Sequence, residues 1–377
     1  MRHKKLSLIL IIGVVIFLVG FKYIKAGIPF LYELFVKKDI QLKQEKQESI
    51  NILLLGIGGG NHDGPELTDT IILANINPEK NKVEMFSIPR DLWMPDLQDR
   101  INSAYAFGQA KDKKGQVLAK AVVEKVTGQP IDYVFVIDFA GFVKGVDHLG
   151  GIQVDVKRGF DDYSYPISGK ENDLCGYTQE EVDELVATAE AELGVDIFPC
   201  RYKHISFKEG LQDMNGQTAL EFVRSRHSLG DEGSDFSRSM RQQEVIAALR
   251  KKVFSLGIVL NPVKVVGLVN IVQENISTDI KKEEYDDFIK LARKMEKAKI
   301  ESYIINVSNE AREEYGLLEN PLMSKEYNYK WVLIPRKGNG DFTEIHQFIT
   351  CVLSGKVCEI TEDGVKTPSP TISPHQN

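Results

Sequence analysis

The chain has 377 residues, of which 42% are hydrophobic and 27% are charged, and its formal net charge is −7. This composition is typical of a globular protein with one large or two ordinary domains, and it excludes an intrinsically disordered chain. A general nucleic-acid binder carries a basic face that matches the phosphate backbone. The net negative charge argues against such a face, so no nucleic-acid partner is predicted.

Residues 1–25 predict a membrane anchor. Basic residues at 2–5 precede an apolar run from Leu6 to Phe21, and Tyr23-Ile24 extend it to roughly nineteen residues, about enough to span a bilayer core. A cleaved signal peptide is the alternative, but the run is long for that role and Ala26-Gly27 is a poor cleavage site. The basic N-terminus favours a single-pass protein of the cell membrane, with a cytoplasmic N-terminus and an extracytoplasmic body.

Residues 26–50 are predicted to be a juxtamembrane spacer, and the globular body begins at Asn51. Apolar runs and helical spacing predict strands at 52–55, 70–76, 83–88, 131–137 and 152–156, and helices at 115–126, 139–149, 236–254 and 281–297. A turn at 77–82 joins the second and third strands as a hairpin. Strands interleaved with helices favour an α/β or α+β sandwich.

A polar insert is predicted at about 159–204, and Thr178 followed by Glu181 is typical of a capping box that opens a helix. Residues 301–360 are predicted to be a C-terminal extension, which either closes the main sheet or forms a small appendage. The proline-containing tail at 361–377 is predicted to be disordered.

The chain has four cysteines. Cys175 and Cys200 bracket the insert, and Cys351 and Cys358 bracket a short loop near the C-terminus. An even count at such positions suits two disulfides in an oxidising compartment, and four unpaired thiols are the alternative. The sequence leaves the pairing open.

Arginines and acids are concentrated in two distant segments. The first contains Arg90, Asp91 and Arg100, and the second contains Arg224, Arg226, Asp235, Arg238, Arg241 and Gln242. Guanidinium groups bind phosphate oxygens bidentately, and carboxylates hold a divalent cation between such oxygens. This pattern predicts a pyrophosphate or phosphoryl-transfer site, with surface ion pairs as the alternative. The hairpin would bring Asp69, at the start of one strand, close to Asp91 beyond the end of the next.

The glycine-rich loop at 56–60 is a weaker signal. A dinucleotide-binding loop opens a helix, whereas this loop is followed by a predicted strand. We therefore interpret it as a flexible turn or as a loop whose backbone approaches a ligand.

Together these segments resemble the LytR–CpsA–Psr family of bacterial envelope proteins over about residues 51–255. The stretches that carry the resemblance are NILLLG (51–56), TDTI (68–71), SIPRD (87–91), RINSAYAFG (100–108), DY (132–133), FAGF (139–142), GG (150–151), NG (215–216), VRSRH (223–227) and DFSRSMRQQ (235–243). Their order and spacing are far more specific than any single motif.

The resemblance implies an α/β/α sandwich around a mixed central sheet, here preceded by one transmembrane helix, with residues 51–300 as the catalytic domain. An apolar pocket would bury a polyprenyl chain, with its pyrophosphate at arginines at the pocket mouth. The implied reaction transfers a phosphoglycan from an undecaprenyl-pyrophosphate carrier to a cell-wall acceptor such as a peptidoglycan hydroxyl, with Mg²⁺. The implied partners are the polyprenyl-pyrophosphate-linked glycan, peptidoglycan and membrane lipid.

Site residues follow from the resemblance by position. The implied catalytic residues are Asp69, Arg90, Asp91, Arg224 and Arg226, and the implied pyrophosphate ligands are Arg90, Arg100, Arg224, Arg226, Arg238 and Gln242. The family often has an acid near the Gly58 position and an arginine at the Leu67 position. Asp63 is the candidate replacement for the acid, as a metal ligand beside Asp69. Arg100 is the candidate replacement for the arginine.

Two alternative functions stay open at this point. One is a hydrolase that cleaves polyprenyl pyrophosphates with water as the acceptor. The other is a non-catalytic envelope protein that binds lipid diphosphates or regulates other proteins, which the departures at Gly58 and Leu67 favour.

Overall fold

The computed structural model describes residues 42–43, 48–60, 64–170, 172–188, 198–228, 230–255, 267, 270–271, 274–309 and 314–367. The anchor predicted at 1–25, most of the spacer and the metal ligand predicted at Asp63 lie outside these ranges. Within the described ranges, the helices are all too short or too polar to cross a membrane.

The elements follow one another in a mixed α and β order. The strands are β1 (Ile50–Ile57), β2 (Thr68–Asn77), β3 (Lys82–Ser87), β4 (Trp93–Met94), β5 (Asp99–Arg100), β6 (Tyr133–Asp138), β7 (Ile152–Val156), β8 (Phe160–Pro166), β9 (Tyr202–Phe207), β10 (Gly210–Met214), β11 (Ile276–Thr278), β12 (Lys299–Ile304), β13 (Leu318–Glu319), β14 (Ile334–Pro335), β15 (Glu359–Thr361) and β16 (Gly364–Lys366). The helices are α1 (Ser103–Asp112), α2 (Gly115–Thr127), α3 (Phe139–His148), α4 (Gln179–Thr188), α5 (Gly216–Arg224), α6 (Asp235–Val253), α7 (Tyr285–Lys294) and α8 (Thr343–Leu353).

A six-stranded sheet in the order β11-β6-β1-β2-β3-β12 forms the centre of the molecule. Strands β1, β2 and β3 form an antiparallel meander. Strand β6 runs parallel to β1, and β12 runs parallel to β3. The predicted α/β fold with a mixed central sheet is therefore confirmed, as is the predicted β2–β3 hairpin.

Helices cover both faces of this sheet. Leu53 and Leu55 of β1 belong to a core cluster that α1, α2 and α8 complete, whereas Ile50 and Ile52 belong to a cluster with Leu291 of α7 on the other face. This division follows from the period of two along a strand, which sends successive side chains to opposite faces. Each face thus has its own hydrophobic core.

A further core lies beside the sheet, where the paired strands β7–β10 and β8–β9 pack with helices α3, α5 and α6. The two ends of the predicted insert, strands β8 and β9, therefore pack into this core. Its capping box is confirmed, because Glu181 Oε2 accepts a 2.8 Å hydrogen bond from the Thr178 amide at the start of α4.

Both predicted disulfides are present. Cys175 is bonded to Cys200 within the insert, and Cys351 is bonded to Cys358 just after α8. Cysteines without a disulfide are absent from the described residues.

The segment after residue 300 closes the main sheet, because β12 crosses that boundary and pairs along the whole of β3. Helix α8 packs on α2, where His346 Nε2 lies 2.9 Å from the carbonyl oxygen of Lys125. The tail predicted to be disordered from residue 361 is ordered at its start, because Gly364–Lys366 form β16 against β15. The prediction was too broad there, since this pairing depends on contacts that composition does not reveal.

Candidate functional site

The β2–β3 hairpin builds the first half of the site. Ile72 pairs with Ser87, so the start of β2 lies beside the residues that follow β3. Arg90 forms an ion pair with Asp69, and Arg90 Nε lies 3.4 Å from Asp91 Oδ2. The expected convergence of Asp69 and Asp91 is therefore present, with Arg90 between them.

Helices α5 and α6 and their connection build the second half. Ser234 caps the start of α6, where its Oγ accepts a 3.2 Å hydrogen bond from the Ser237 amide. The first residue of α6, Asp235, places its Oδ1 2.9 Å from Arg238 NH2 and 3.6 Å from Arg226 NH2. One carboxylate thus holds two arginines that come from different segments.

The two halves meet in a single cavity of about 700 Å³. The charged and polar side chains at its arginine-rich end are Asp69, Arg90, Arg226, Asp235, Arg238 and Gln242. Residues that are distant in sequence therefore form one site, which lies at the edge of the sheet beyond the end of β3. We call this group the arginine cluster.

Electrostatics in the arginine cluster favour an anionic ligand. Arg238 is only 6% exposed, and this burial lowers the pKa of its guanidinium to about 10; Asp235 opposes the shift, whereas Arg90 and Arg226 add to it. Burial also opposes the charged form of Arg90, but the carboxylates of Asp69 and Asp91 outweigh it and raise its pKa. Three cations crowded in one cavity lose part of their mutual repulsion when an anion binds among them.

Two guanidinium donors of the arginine cluster also lack a hydrogen-bond acceptor. Arg90 Nε and Arg238 Nε are buried and have no hydrogen-bond partner among the residues that the structure describes. A buried, unpaired donor is costly. Arg100 Nε and Arg241 Nε, which lie outside the cavity lining, are unpaired in the same way, so this feature is not confined to the cavity.

Other predicted site residues lie outside the cavity lining. The Arg224 guanidinium lies 4.1 Å from the centre of the Phe139 ring, and Arg100 NH1 is 3.0 Å from Asp91 Oδ1. Asp91 is buried outside the cavity lining and contacts both Arg90 and Arg100, so it helps to hold Arg90 in position. The catalytic and binding roles assigned to Arg224 and Arg100 stay predictions.

Sequence reasoning missed Asp162 on β8. Its carboxylate is fully buried and accepts hydrogen bonds from the Ser225 hydroxyl at 2.6 Å and from the amides of Arg226 and His227, each at 3.2 Å. It therefore fixes the backbone that carries Arg226. The sequence around Asp162 gave no sign of this role. Asp162 lies in the polar insert next to the exposed Asp161, and nothing in the local sequence distinguishes the buried acid from the exposed one.

The donor set of the cavity fits a magnesium ion in its chemistry. Mg²⁺ is bound through one or two carboxylates together with phosphate oxygens and waters, and Asp69 and Asp235 offer two carboxylates on the cavity wall. Elsewhere in the described ranges, Asp173, Cys175 and Cys200 lie at metal-binding distances, but both sulfurs are consumed by the disulfide.

A family model described as the LytR_cpsA_psr family matches residues 33–327. The chain belongs to this family. A Bacillus cereus protein named "Polyisoprenyl-teichoic acid--peptidoglycan teichoic acid transferase TagU" is 31% identical over 256 residues, which are 66% of this chain and 66% of the relative. The corresponding TagV of Bacillus subtilis is 28% identical over 237 residues, which are 63% of this chain and 51% of TagV. The match thus spans just under two thirds of the first relative and about half of the second.

Solved structures of the LytR–CpsA–Psr kind share the fold. B. subtilis TagV superposes with a TM-score of 0.54 at 23% identity, covering 82% of this chain and 98% of the TagV chain. A structure titled "TagT bound to LIIa-WTA" gives a TM-score of 0.52 at 20% identity, covering 84% and 96% of the two chains. At these identities the likeness establishes the architecture alone. The site of this chain is described by its own geometry.

Proposed function

We propose that this LytR–CpsA–Psr protein transfers a phosphoglycan from an undecaprenyl-pyrophosphate carrier to a cell-wall acceptor such as a peptidoglycan hydroxyl. The observation that carries the proposal is the arginine cluster, in which Arg90, Arg226 and Arg238 converge on one cavity from distant segments of the chain. The names of the TagU and TagV relatives support the same class of reaction.

The chemistry of such a transfer suits this cavity. An acceptor hydroxyl attacks the glycan-bearing phosphorus, the phosphoanhydride bond breaks, and polyprenyl phosphate leaves. Catalysis of phosphoryl transfer depends chiefly on positioning and on neutralising the charge of the phosphoryl oxygens. Arg238, held by Asp235, and Arg90, held by Asp69, are pre-organised for that task because their own carboxylate partners restrict their side chains.

Magnesium is part of the proposal. Asp69 is the ligand that the resemblance implies, Asp235 lies on the same cavity wall, and Asp63 is a further candidate from the sequence. A bound Mg²⁺ would neutralise negative charge on the pyrophosphate oxygens. The protein's own part is to hold the two carboxylates within reach of those oxygens.

The location of the protein is proposed on sequence grounds. The basic and apolar residues of 1–25 support a single-pass anchor in the cell membrane, with the body on the extracytoplasmic side. Such an anchor would hold the cavity close to its lipid-linked substrate, so membrane lipid is a partner in this proposal. Two disulfides also suit an oxidising, extracytoplasmic compartment.

The test uses the full chain in detergent micelles with a synthetic polyprenyl-pyrophosphate glycan and peptidoglycan oligomers, with Mg²⁺ or with EDTA. We expect Mg²⁺-dependent transfer that Arg238→Ala and Asp69→Asn abolish. Arg250→Ala is the matched control, because Arg250 lies on the same helix and its guanidinium donates to the carbonyl of Glu296 instead.

Each alternative function gives a distinct result in this assay. Release of glycan phosphate without an acceptor would establish the hydrolase. Binding of the lipid-linked glycan with neither transfer nor hydrolysis would establish a binding or regulatory protein.

A further inference from the structure

The cavity extends well beyond the arginine cluster. Its volume of about 700 Å³ exceeds what a pyrophosphate group fills and matches the size of pockets for drug-sized ligands. Amide, hydroxyl and aromatic side chains also line this cavity. They include Asn306, Ser308, Tyr315, Asn320 and Trp331, and we call these five the aromatic wall.

The segment that carries Trp331 is anchored at the two residues that follow it. Val332 is fully buried with Trp93 and Tyr327, whereas the next residue back, Trp331, is 43% exposed. The Leu333 amide donates a 2.9 Å hydrogen bond to the carbonyl of Asp91. Because Asp91 directly follows Arg90, this backbone bond joins the segment that carries Trp331 to the segment that carries the arginine.

Tyr315 is presented by a second extended segment. The Gly316 amide donates a 2.9 Å hydrogen bond to Ser308 Oγ, and the Leu317 amide donates one of 2.9 Å to the Asn306 carbonyl. A Cβ on Gly316 would lie 2.2 Å from the Val307 carbonyl carbon, so only glycine permits this close approach. Tyr315 itself remains 49% exposed.

Both rings are open to a ligand. Neither Tyr315 nor Trp331 stacks on another ring or on a cation among the described residues. Exposed Trp and Tyr side chains that are fixed in place provide a large contact area at little cost in conformational entropy. Amides and hydroxyls surround them on the same wall, so a ligand with both an apolar face and many hydroxyls is complementary to it.

We propose that the aromatic wall binds a pyranose ring of the saccharide that lies next to the pyrophosphate. The C–H face of a pyranose packs on Trp331 and Tyr315, and its hydroxyls meet the side-chain amide of Asn306 and the Oδ1 of Asn320, whose Nδ2 donates a 2.6 Å hydrogen bond to the Val332 carbonyl. The inference rests on the proposed function, because pyrophosphate in the arginine cluster would place its attached sugar here. Trp331 lies beyond residue 327, where the family match ends, so this part of the wall belongs to the chain's own C-terminal segment.

The test follows quenching of tryptophan fluorescence in the full chain by acrylamide, a neutral quencher that the arginine cluster does not attract. The chain has two tryptophans, and Trp93 is 0% exposed whereas Trp331 is 43% exposed, so quenching reports on Trp331. The probes are inorganic pyrophosphate, the disaccharide N-acetylglucosaminyl-N-acetylmuramic acid as an acceptor fragment, a lipid-free disaccharide diphosphate as a donor fragment, and farnesyl pyrophosphate.

We expect the disaccharide diphosphate to protect Trp331 more strongly than inorganic pyrophosphate does. Tyr315→Ala should raise the dissociation constant of the disaccharide diphosphate about tenfold, as expected for losing one aromatic contact. Its affinity for inorganic pyrophosphate should stay unchanged. Tyr329→Ala is the matched control, because Tyr329 is 71% exposed and lies outside the cavity lining.

Two results would overturn the inference. In the first, pyrophosphate binds but the disaccharide diphosphate does not protect Trp331, whether or not the acceptor fragment does. In the second, farnesyl pyrophosphate protects Trp331 and the saccharides do not, which would assign the wall to the prenyl chain. Failure of pyrophosphate itself to bind would count against the proposed function, whereas saccharide protection in that case would still support the aromatic wall.

Discussion

Asp162 Oδ2 accepts a 2.6 Å hydrogen bond from Ser225 Oγ and thereby joins the stem of the insert to the segment that carries Arg226. Ser225 is also held through its backbone, because Arg241 NH2 donates a 2.7 Å hydrogen bond to the Ser225 carbonyl. Both Asp162 and Arg241 are buried. The backbone position of Arg226 is therefore set by charged groups that do not line the cavity, whereas its side chain pairs with Asp235 of the cavity lining.

We predict that Asp162→Asn weakens pyrophosphate binding about tenfold and lowers the free energy of unfolding by about 1–3 kcal/mol, because an amide cannot satisfy the same buried donors. Calorimetric titration with pyrophosphate and urea denaturation measure the two effects. Asp161→Asn is the control, because Asp161 is exposed and pairs with His204. A variant that is destabilised but binds pyrophosphate normally would show that Asp162 is structural and does not position Arg226.

Arg238 should contribute strongly to pyrophosphate binding and little to the stability of the fold. We predict that Arg238→Met lowers pyrophosphate affinity by about a hundredfold or more, since charge-assisted hydrogen bonds are lost. The free energy of unfolding should change by less than about 1 kcal/mol, because desolvation and two neighbouring cations already disfavour the buried charge. Arg250→Met on the same helix should leave the affinity unchanged. Calorimetry measures the affinity of Arg238→Met for pyrophosphate. An affinity equal to that of the native protein would show that Arg238 does not bind pyrophosphate.

The stability of the protein should depend on pH through Glu244 of α6. Burial raises its pKa from 4.5 to about 7, although Lys157 and Arg241 oppose the shift. The folded state therefore binds this proton more tightly than the unfolded state, and stability is lost as the pH rises from 4.5 through 7.

Glu244→Gln mimics the protonated carboxyl, so it should raise the free energy of unfolding at pH 8 by about 1–2 kcal/mol, with no difference at pH 4. Urea denaturation of both proteins at the two pH values measures this. An equal gain at both pH values would mean that the effect comes from packing.

The two disulfides should differ in their contributions to stability. The Cys175–Cys200 bond closes a loop with a sequence separation of 25, whereas Cys351–Cys358 closes one of 7. Loop-closure entropy predicts that Cys175→Ser/Cys200→Ser lowers the free energy of unfolding by about 3–4 kcal/mol, and Cys351→Ser/Cys358→Ser by about 2–3 kcal/mol. Urea denaturation compares the two double variants with the native protein. The reverse order would indicate that the insert unfolds separately from the remainder.

Local patterns in the sequence predicted the four inner strands of the central sheet, strand β7 and five of the eight helices in the described residues. The hairpin of β2 and β3 and the capping box at Thr178 depend on residues within a few positions of one another, so short-range chemistry was sufficient. Helix α1 was missed, because its buried positions are Ser103, Ala104, Tyr105 and Gly108, which show no apolar periodicity. Strand β12 was equally hidden, since its pairing with β3 joins segments that are distant in the chain.

The sequence by itself determined the fold class, the family and the two arginine-bearing segments, because each is encoded in short stretches with their own spacing. Only the tertiary structure decided that Arg90 and Arg238 share one cavity, that Arg224 packs on Phe139 instead, and that Asp162 supports Arg226. These relationships depend on how the core beside the sheet packs against the end of β3. Contacts between distant segments arise from such packing, and no local periodicity records them.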